Sequence, residues 1–206
     1  ELWKSDGTAV GTVLVADTTP GIANSSMKYF ADVNGTLFFV GGGSGGYELW
    51  KSDGTAAGTV LVKDIAIGEN SSYPKYLTNV GGVLYFRADD RINGFELWKS
   101  DGTAAGTLMV KNIRSVGSSS PTYLTNVNGT LYFRANDGLS GIELWKSDGT
   151  AAGTVLVKDV RPGNLSSAPK KLTSVNEQLF FTANDGLQGD ELWTSDGTAA
   201  GTVMVK

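Results

Sequence analysis

The tripeptide Glu-Leu-Trp recurs at Glu1, Glu48, Glu96, Glu143 and Glu191, at intervals of 47, 48, 47 and 48 residues. All five tryptophans of the chain, Trp3, Trp50, Trp98, Trp145 and Trp193, lie in it. Each copy continues through Ser-Asp-Gly-Thr, two further residues, Gly-Thr and an apolar run. The second copy reads ELWKSDGTAAGTVLVKDI and the fourth ELWKSDGTAAGTVLVKDV. A fixed period of this length describes an array of one supersecondary unit. Such a unit cannot bury its apolar faces alone and must stack on its neighbours.

Within a period the signals are those of strands. In the stretch from Pro121 to Val160, Tyr123–Val127 is a short β-prone run, and Asn128-Gly129 then predicts a tight type I′ hairpin turn. A second strand is expected over Thr130–Ala135, a third over Ile142–Lys146 and a fourth over Thr154–Lys158. The Pro/Gly/Ser-rich stretch Arg161–Pro169 connects to the next unit. No segment has a helical period. Leu and Tyr-Phe pairs place apolar groups on both faces of the second strand, the pattern of a sheet covered on both sides.

The expected fold is therefore all-β: tandem four-stranded antiparallel blades of 47–48 residues, arranged as a β-propeller. The period lies between those typical of WD-type and kelch-type blades. The first strand of each unit is expected to be the shortest, as an innermost strand near a crowded axis should be. The alternative is an open β-repeat array or solenoid, whose coils would not need an Asn-Gly hairpin in each unit. The expected division is a half blade over 1–17 and blades over 18–64, 65–112, 113–159 and 160–206. The half blade implies an excerpt of a larger ring or array, or completion by a neighbouring chain, because an unpaired edge attracts a partner.

The motif resembles the bacterial ELWxxDGTxxGT repeat family along the whole chain. That resemblance implies a part of a large secreted or cell-surface bacterial protein and brings no shared activity with it. Composition narrows the chemistry further. The chain has no His and no Cys, which removes the commonest general base, a serine triad and thiolate metal sites. A net charge of −4 with no basic stripe argues against nucleic acid. No apolar run is long enough for membrane insertion. The expectation is a non-catalytic, extracellular or cell-surface module with a structural or adhesive role in a surface protein, sheath or filament. Its expected partners are neighbouring copies or flanking blades. The alternative is a multivalent lectin-like propeller that binds glycans, with calcium assisting.

Three sets of residues are candidates for roles. Trp3, Trp50, Trp98, Trp145 and Trp193 are expected to pack between blades and to hydrogen-bond through their N–H groups. Asp6, Asp53, Asp101, Asp148 and Asp196 are expected to close turns, with calcium ligation as the second reading. Each repeated Glu is expected to pair with a Lys or to cap a loop. The loops between second and third strands share one face with the inter-unit connectors, which makes Asp89, Asp90, Arg91, Asn136, Asp137, Asn184 and Asp185 the candidate ligand-binding residues. Sequons stand at Asn24, Asn34, Asn70, Asn128 and Asn164; glycans on them would be expected only in a eukaryotic secreted protein.

Overall fold

The computed structural model describes residues 1–19, 25–43 and 46–205. The sequon at Asn24 lies outside them. Among the described residues every regular element is a strand. A two-stranded hairpin of β1 (Leu2–Lys4) and β2 (Val13–Ala16) comes first. Four antiparallel sheets follow, each with its four strands in sequence order. Unit I is β3 (Lys28–Val33), β4 (Thr36–Gly43), β5 (Gly46–Ser52) and β6 (Val60–Lys63). Unit II is β7 (Lys75–Val80), β8 (Val83–Asp89), β9 (Phe95–Ser100) and β10 (Leu108–Lys111). Unit III is β11 (Thr122–Val127), β12 (Thr130–Asn136), β13 (Ile142–Ser147) and β14 (Val155–Lys158). Unit IV is β15 (Lys170–Val175), β16 (Gln178–Asn184), β17 (Asp190–Ser195) and β18 (Val203–Met204).

One expectation is corrected. The fourth strand, not the first, is the shortest: β6, β10 and β14 have four residues and β18 two, against six in each first strand. The first strands gain length through a bulge. In β7 the register slips between Lys75 and Thr78, and Tyr76 takes φ +59°. Tyr29, Tyr123 and Lys171 repeat this left-handed position.

The hairpins between first and second strands have positive φ at both central residues, as a type I′ turn requires. Asn34-Gly35, Gly81-Gly82 and Asn128-Gly129 suit that geometry. Asn176-Glu177 reaches it without a glycine, with Glu177 at φ +64°.

The core is not divided unit by unit. One buried cluster joins Val33, Phe38, Leu49, Val62 and Ile65 of unit I and its outgoing connector to Leu84, Phe86 and Trp98 of unit II. A second joins Val80, Tyr85 and Leu97 of unit II to Leu131, Phe133 and Trp145 of unit III. A third joins units III and IV around Leu144, Phe181 and Trp193. The apolar faces between successive sheets are therefore covered, as the two-faced pattern of the second strands requires, while Val175, Leu192 and Val203 of unit IV stay exposed. The first strands also touch directly: Thr78 Oγ1 donates to Leu124 O at 3.4 Å and Thr125 Oγ1 to Leu172 O at 3.3 Å.

Candidate functional site

Antiparallel order puts the two kinds of repeat feature at opposite ends of each sheet. The Asp-Gly-Thr turns join third to fourth strands at one end. The loops between second and third strands share the other end with the connectors.

At the first end the motif closes on itself. In unit III the Asp148 Oδ1 accepts hydrogen bonds from Thr150 N–H and Thr150 Oγ1 at 2.8 and 2.7 Å. Those bonds, the side-chain one first, hold the Asp148 carboxyl below its ordinary range. Ser147 Oγ accepts from Gly149 N–H at 3.0 Å and shares a hydrogen bond of 2.7 Å with Thr154 Oγ1. Thr154 Oγ1 also reaches Thr150 O at 2.7 Å. The second glycine of the motif is fixed by space: a Cβ on Gly153 would stand 2.1 Å from Asp148 Oδ1. Asp6, Asp53, Asp101 and Asp196 make the same bonds to Thr8, Thr55, Thr103 and Thr198. Each turn brings one carboxylate, already bonded at Oδ1, and among the described residues no three acidic side chains gather as metal ligands.

Glu and Trp lock neighbouring units together. Glu143 is buried, and its carboxylate accepts from Val160 N–H at 3.2 Å, Ser167 N–H at 2.6 Å and Ser167 Oγ at 2.5 Å. All three donors belong to the connector leading to unit IV. Glu48 and Glu96 hold their connectors in the same way through Ser72 and Ser119. Glu48, Glu96 and Glu143 thus cap loops, and among the described residues they make no ion pair. Burial outweighs the hydrogen bonds and pushes Glu143 up from 4.5 to about 7, with Glu48 and Glu96 raised in the same direction.

The tryptophans pack between units as expected, but one part of that expectation is corrected. The Nε1 atoms of Trp50, Trp98, Trp145 and Trp193 are buried with no hydrogen-bond partner: Trp98, Trp145 and Trp193 lie in apolar clusters shared by two units, and Trp50 packs against the cluster shared with the first hairpin. Trp3 alone donates, to Glu1 Oε2 at 3.1 Å, and is 54 % exposed.

At the opposite end, the seven loop candidates shape their own loops. Asp89 Oδ1 accepts from Arg91 N–H at 2.7 Å, and Asp90 Oδ1 from Ile92 and Asn93 N–H. Asn136 and Asp137 accept from Gly138, Leu139 and Ser140 N–H, and Asn184 and Asp185 from Gly186 and Leu187 N–H. Burial pushes the Asp90 and Asp137 carboxyls up, but the loop hydrogen bonds outweigh it and hold both below the ordinary range. The structure keeps these residues in three separate loops and does not bring them together. The Arg91 guanidinium pairs with Asp89 at 3.5 Å, donates to Ser71 O of the connector at 2.8 Å and lies 5.5 Å from the Tyr73 ring centre.

No protein-family model matches the chain. No curated protein matches it. Among solved structures, it is similar to a puromycin hydrolase solved as a mutant in complex with PGG, with TM-score 0.53 and 13 % identity over 83 % of this chain and 27 % of the hydrolase. The chain therefore spans about a quarter of that protein, and at this identity the likeness is one of fold alone. A weaker likeness, TM-score 0.36 and 15 % identity over 86 % of this chain and 71 % of the other, is to an endo-1,4-beta-xylanase from Bacteroides thetaiotaomicron.

Sequence reasoning passed over a set of aromatic–cation contacts on the loop face. In unit II the Arg87 guanidinium lies 5.2 Å from the Tyr76 ring centre and 4.7 Å from that of Phe95. In unit III Arg134 lies 4.8 Å from Tyr123. A signal was present: Tyr29, Tyr76 and Tyr123 recur at one interval of 47 residues, and so do Arg87 and Arg134. In unit I, Lys28, Tyr29, Val40, Tyr47, Tyr73 and Lys75 line an open cavity of about 260 Å³.

Proposed function

We propose that the chain is a non-catalytic, extracellular repeat module with a structural or adhesive role in a surface protein, sheath or filament. In this reading its sheets are the blades of a β-propeller, and its partners are flanking blades or neighbouring copies. One observation carries the proposal. The recurring residues are spent on building the units: Asp, Gly and Thr on turns in every copy, Glu on the connectors that leave units I, II and III, Trp on the cores between units. Catalysis needs one asymmetric constellation, whereas these carboxylates serve the same local bonds in each copy. The likeness in fold to part of a hydrolase is consistent with propeller-like blades. The ELWxxDGTxxGT resemblance supports a surface location.

A lectin-like reading with one equivalent site per unit has less support. The position between first-strand and third-strand side chains is occupied by Val40, Arg87, Arg134 and Thr182 in turn, so the four units do not repeat one binding surface. The proposal includes no cofactor.

Electron microscopy of the full-length protein, together with turnover assays on peptide and glycoside panels, tests this reading. Blades built into rings or polymers, with no turnover traceable to the repeats, are expected. Hydrolysis abolished by substitutions confined to the repeats would overturn it.

A further inference from the structure

The four units offer the same slot on the loop face and fill it differently. Its walls are the second residue of the first strand and the residue that precedes Glu-Leu-Trp in the third. Its floor is one residue of the second strand, which pairs with a leucine of the third. In unit II the walls are Tyr76 and Phe95, and Arg87 puts its guanidinium between them. In unit III Arg134 lies against Tyr123, and its Nε donates to Thr122 Oγ1 at 2.7 Å. In unit IV Lys171 and Asp190 replace the aromatic walls, and an ion pair of 3.1 Å between Lys170 and Asp190 closes the place. Unit I keeps both aromatic walls, Tyr29 and Tyr47, but has Val40 at the floor. The short side chain leaves the slot open, and the cavity of about 260 Å³ lies there.

Its surroundings define what it would take. Tyr73, from the connector to unit II, stacks beside Tyr47 with ring centres 6.2 Å apart and planes at 23°. Lys28 Nζ is 5.9 Å from the Tyr47 ring centre, and Lys75 also lines the cavity. Among the described residues neither ammonium has an anionic partner. Two unpaired cations oppose a cationic guest in the place where units II and III hold their own guanidinium. Aromatic faces suit the C–H face of a sugar ring, and the ammoniums suit a carboxylate or sulfate. The volume is below the roughly 300–1,000 Å³ of sites for drug-sized ligands, which fits one ring.

We infer that the unit I cavity binds one ring of an anionic saccharide, stacked on Tyr47 and held through its acid group by Lys28 and Lys75. The site lies where the repeat departs from itself. It gives the adhesive half of the proposed function a ligand and rests on that half alone.

Isothermal titration of the chain with oligogalacturonate, a sulfated heparin oligosaccharide, a neutral galactose oligomer and choline tests it. Binding of at least one acidic oligosaccharide, without binding of the neutral oligomer or choline, is expected. Loss of one charge-assisted contact in Lys28→Gln or Lys75→Gln should weaken it roughly tenfold or more. Val40→Arg should abolish it by supplying the guanidinium that fills the slot in unit II. Tyr47→Ala gives a second test of the slot if Val40→Arg fails to fold. Acidic binding that survives both Val40→Arg and Tyr47→Ala, in folded variants, would place it elsewhere. That result overturns the site but leaves the adhesive reading standing. Preference for choline, or no binding of either acidic oligosaccharide, overturns the inference outright. Turnover of any of these saccharides would instead count against the non-catalytic reading.

Discussion

Thr154 shows how closely the repeated turn is built. It is fully buried, and its hydroxyl contacts both Ser147 Oγ and Thr150 O. Thr154→Val keeps the shape but leaves those oxygens without that hydroxyl. A loss of about 1–3 kcal/mol is expected in urea unfolding. Gly153→Ala should also lower the midpoint, since the new methyl would meet Asp148 Oδ1. Glu143 acts in the opposite sense to a salt-bridged acid. Its folded-state pKa of about 7 exceeds the ordinary 4.5, so between those values the folded chain holds more protons than the unfolded one. Its contribution to stability is fully present below about pH 4.5 and is lost as pH rises through about 7. Melting curves from pH 4.5 to 8 should show this decline, and Glu143→Gln should lessen it, leaving the part that Glu48 and Glu96 contribute. Asp-Gly-Thr was legible as a turn from residue chemistry alone. The role of Glu was not, because its donors lie 17 and 24 residues away in the connector.

Among the elements, the hairpin of unit IV departs from the other three. A left-handed residue with a side chain costs about 1–2 kcal/mol, and Glu177 sits at φ +64°. Glu177→Gly should raise the melting midpoint by relieving that cost, offset by loss of the exposed bond from Asn128 Nδ2. A neutral or lowered midpoint would show that the turn is not strained. The indoles allow a second test. Trp145 contributes buried ring area but no N–H bond. Trp145→Phe is expected to cost under about 1.5 kcal/mol, and Trp145→Ala about 3–5 kcal/mol, in denaturant titrations. The strands of unit III were readable to within one residue at each end. Their relative lengths were not, since the bulge that lengthens the first strands depends on pairing with the second.

At the scale of the whole molecule, the cores belong to pairs of sheets, and the units are coupled by bonds as well. Lys63, Lys111 and Lys158 each donate to a threonine carbonyl of the following unit, at 2.7, 2.8 and 2.7 Å. Repeat arrays unfold as units plus nearest-neighbour interfaces, and large interfaces make them cooperative. Leu144→Ala, in the core between units III and IV, should therefore lower a single transition reported alike by single-tryptophan variants in different units. Separate transitions would show that the interfaces are weaker than this packing implies.

The sequence by itself determined the period, the four strands of each unit, the tight turns and the need for stacking. Those follow from backbone preferences and side-chain patterns over a few residues. Tertiary structure decided which repeated groups became desolvated: the buried carboxyl of Glu143, the orphan N–H of Trp145 and the slot left open by Val40. The burial of Glu143 against its connector, the unbonded N–H of Trp145 and the open slot at Val40 each arise where segments distant in sequence meet, and local patterns carry no information about which side chain fills the space between two sheets.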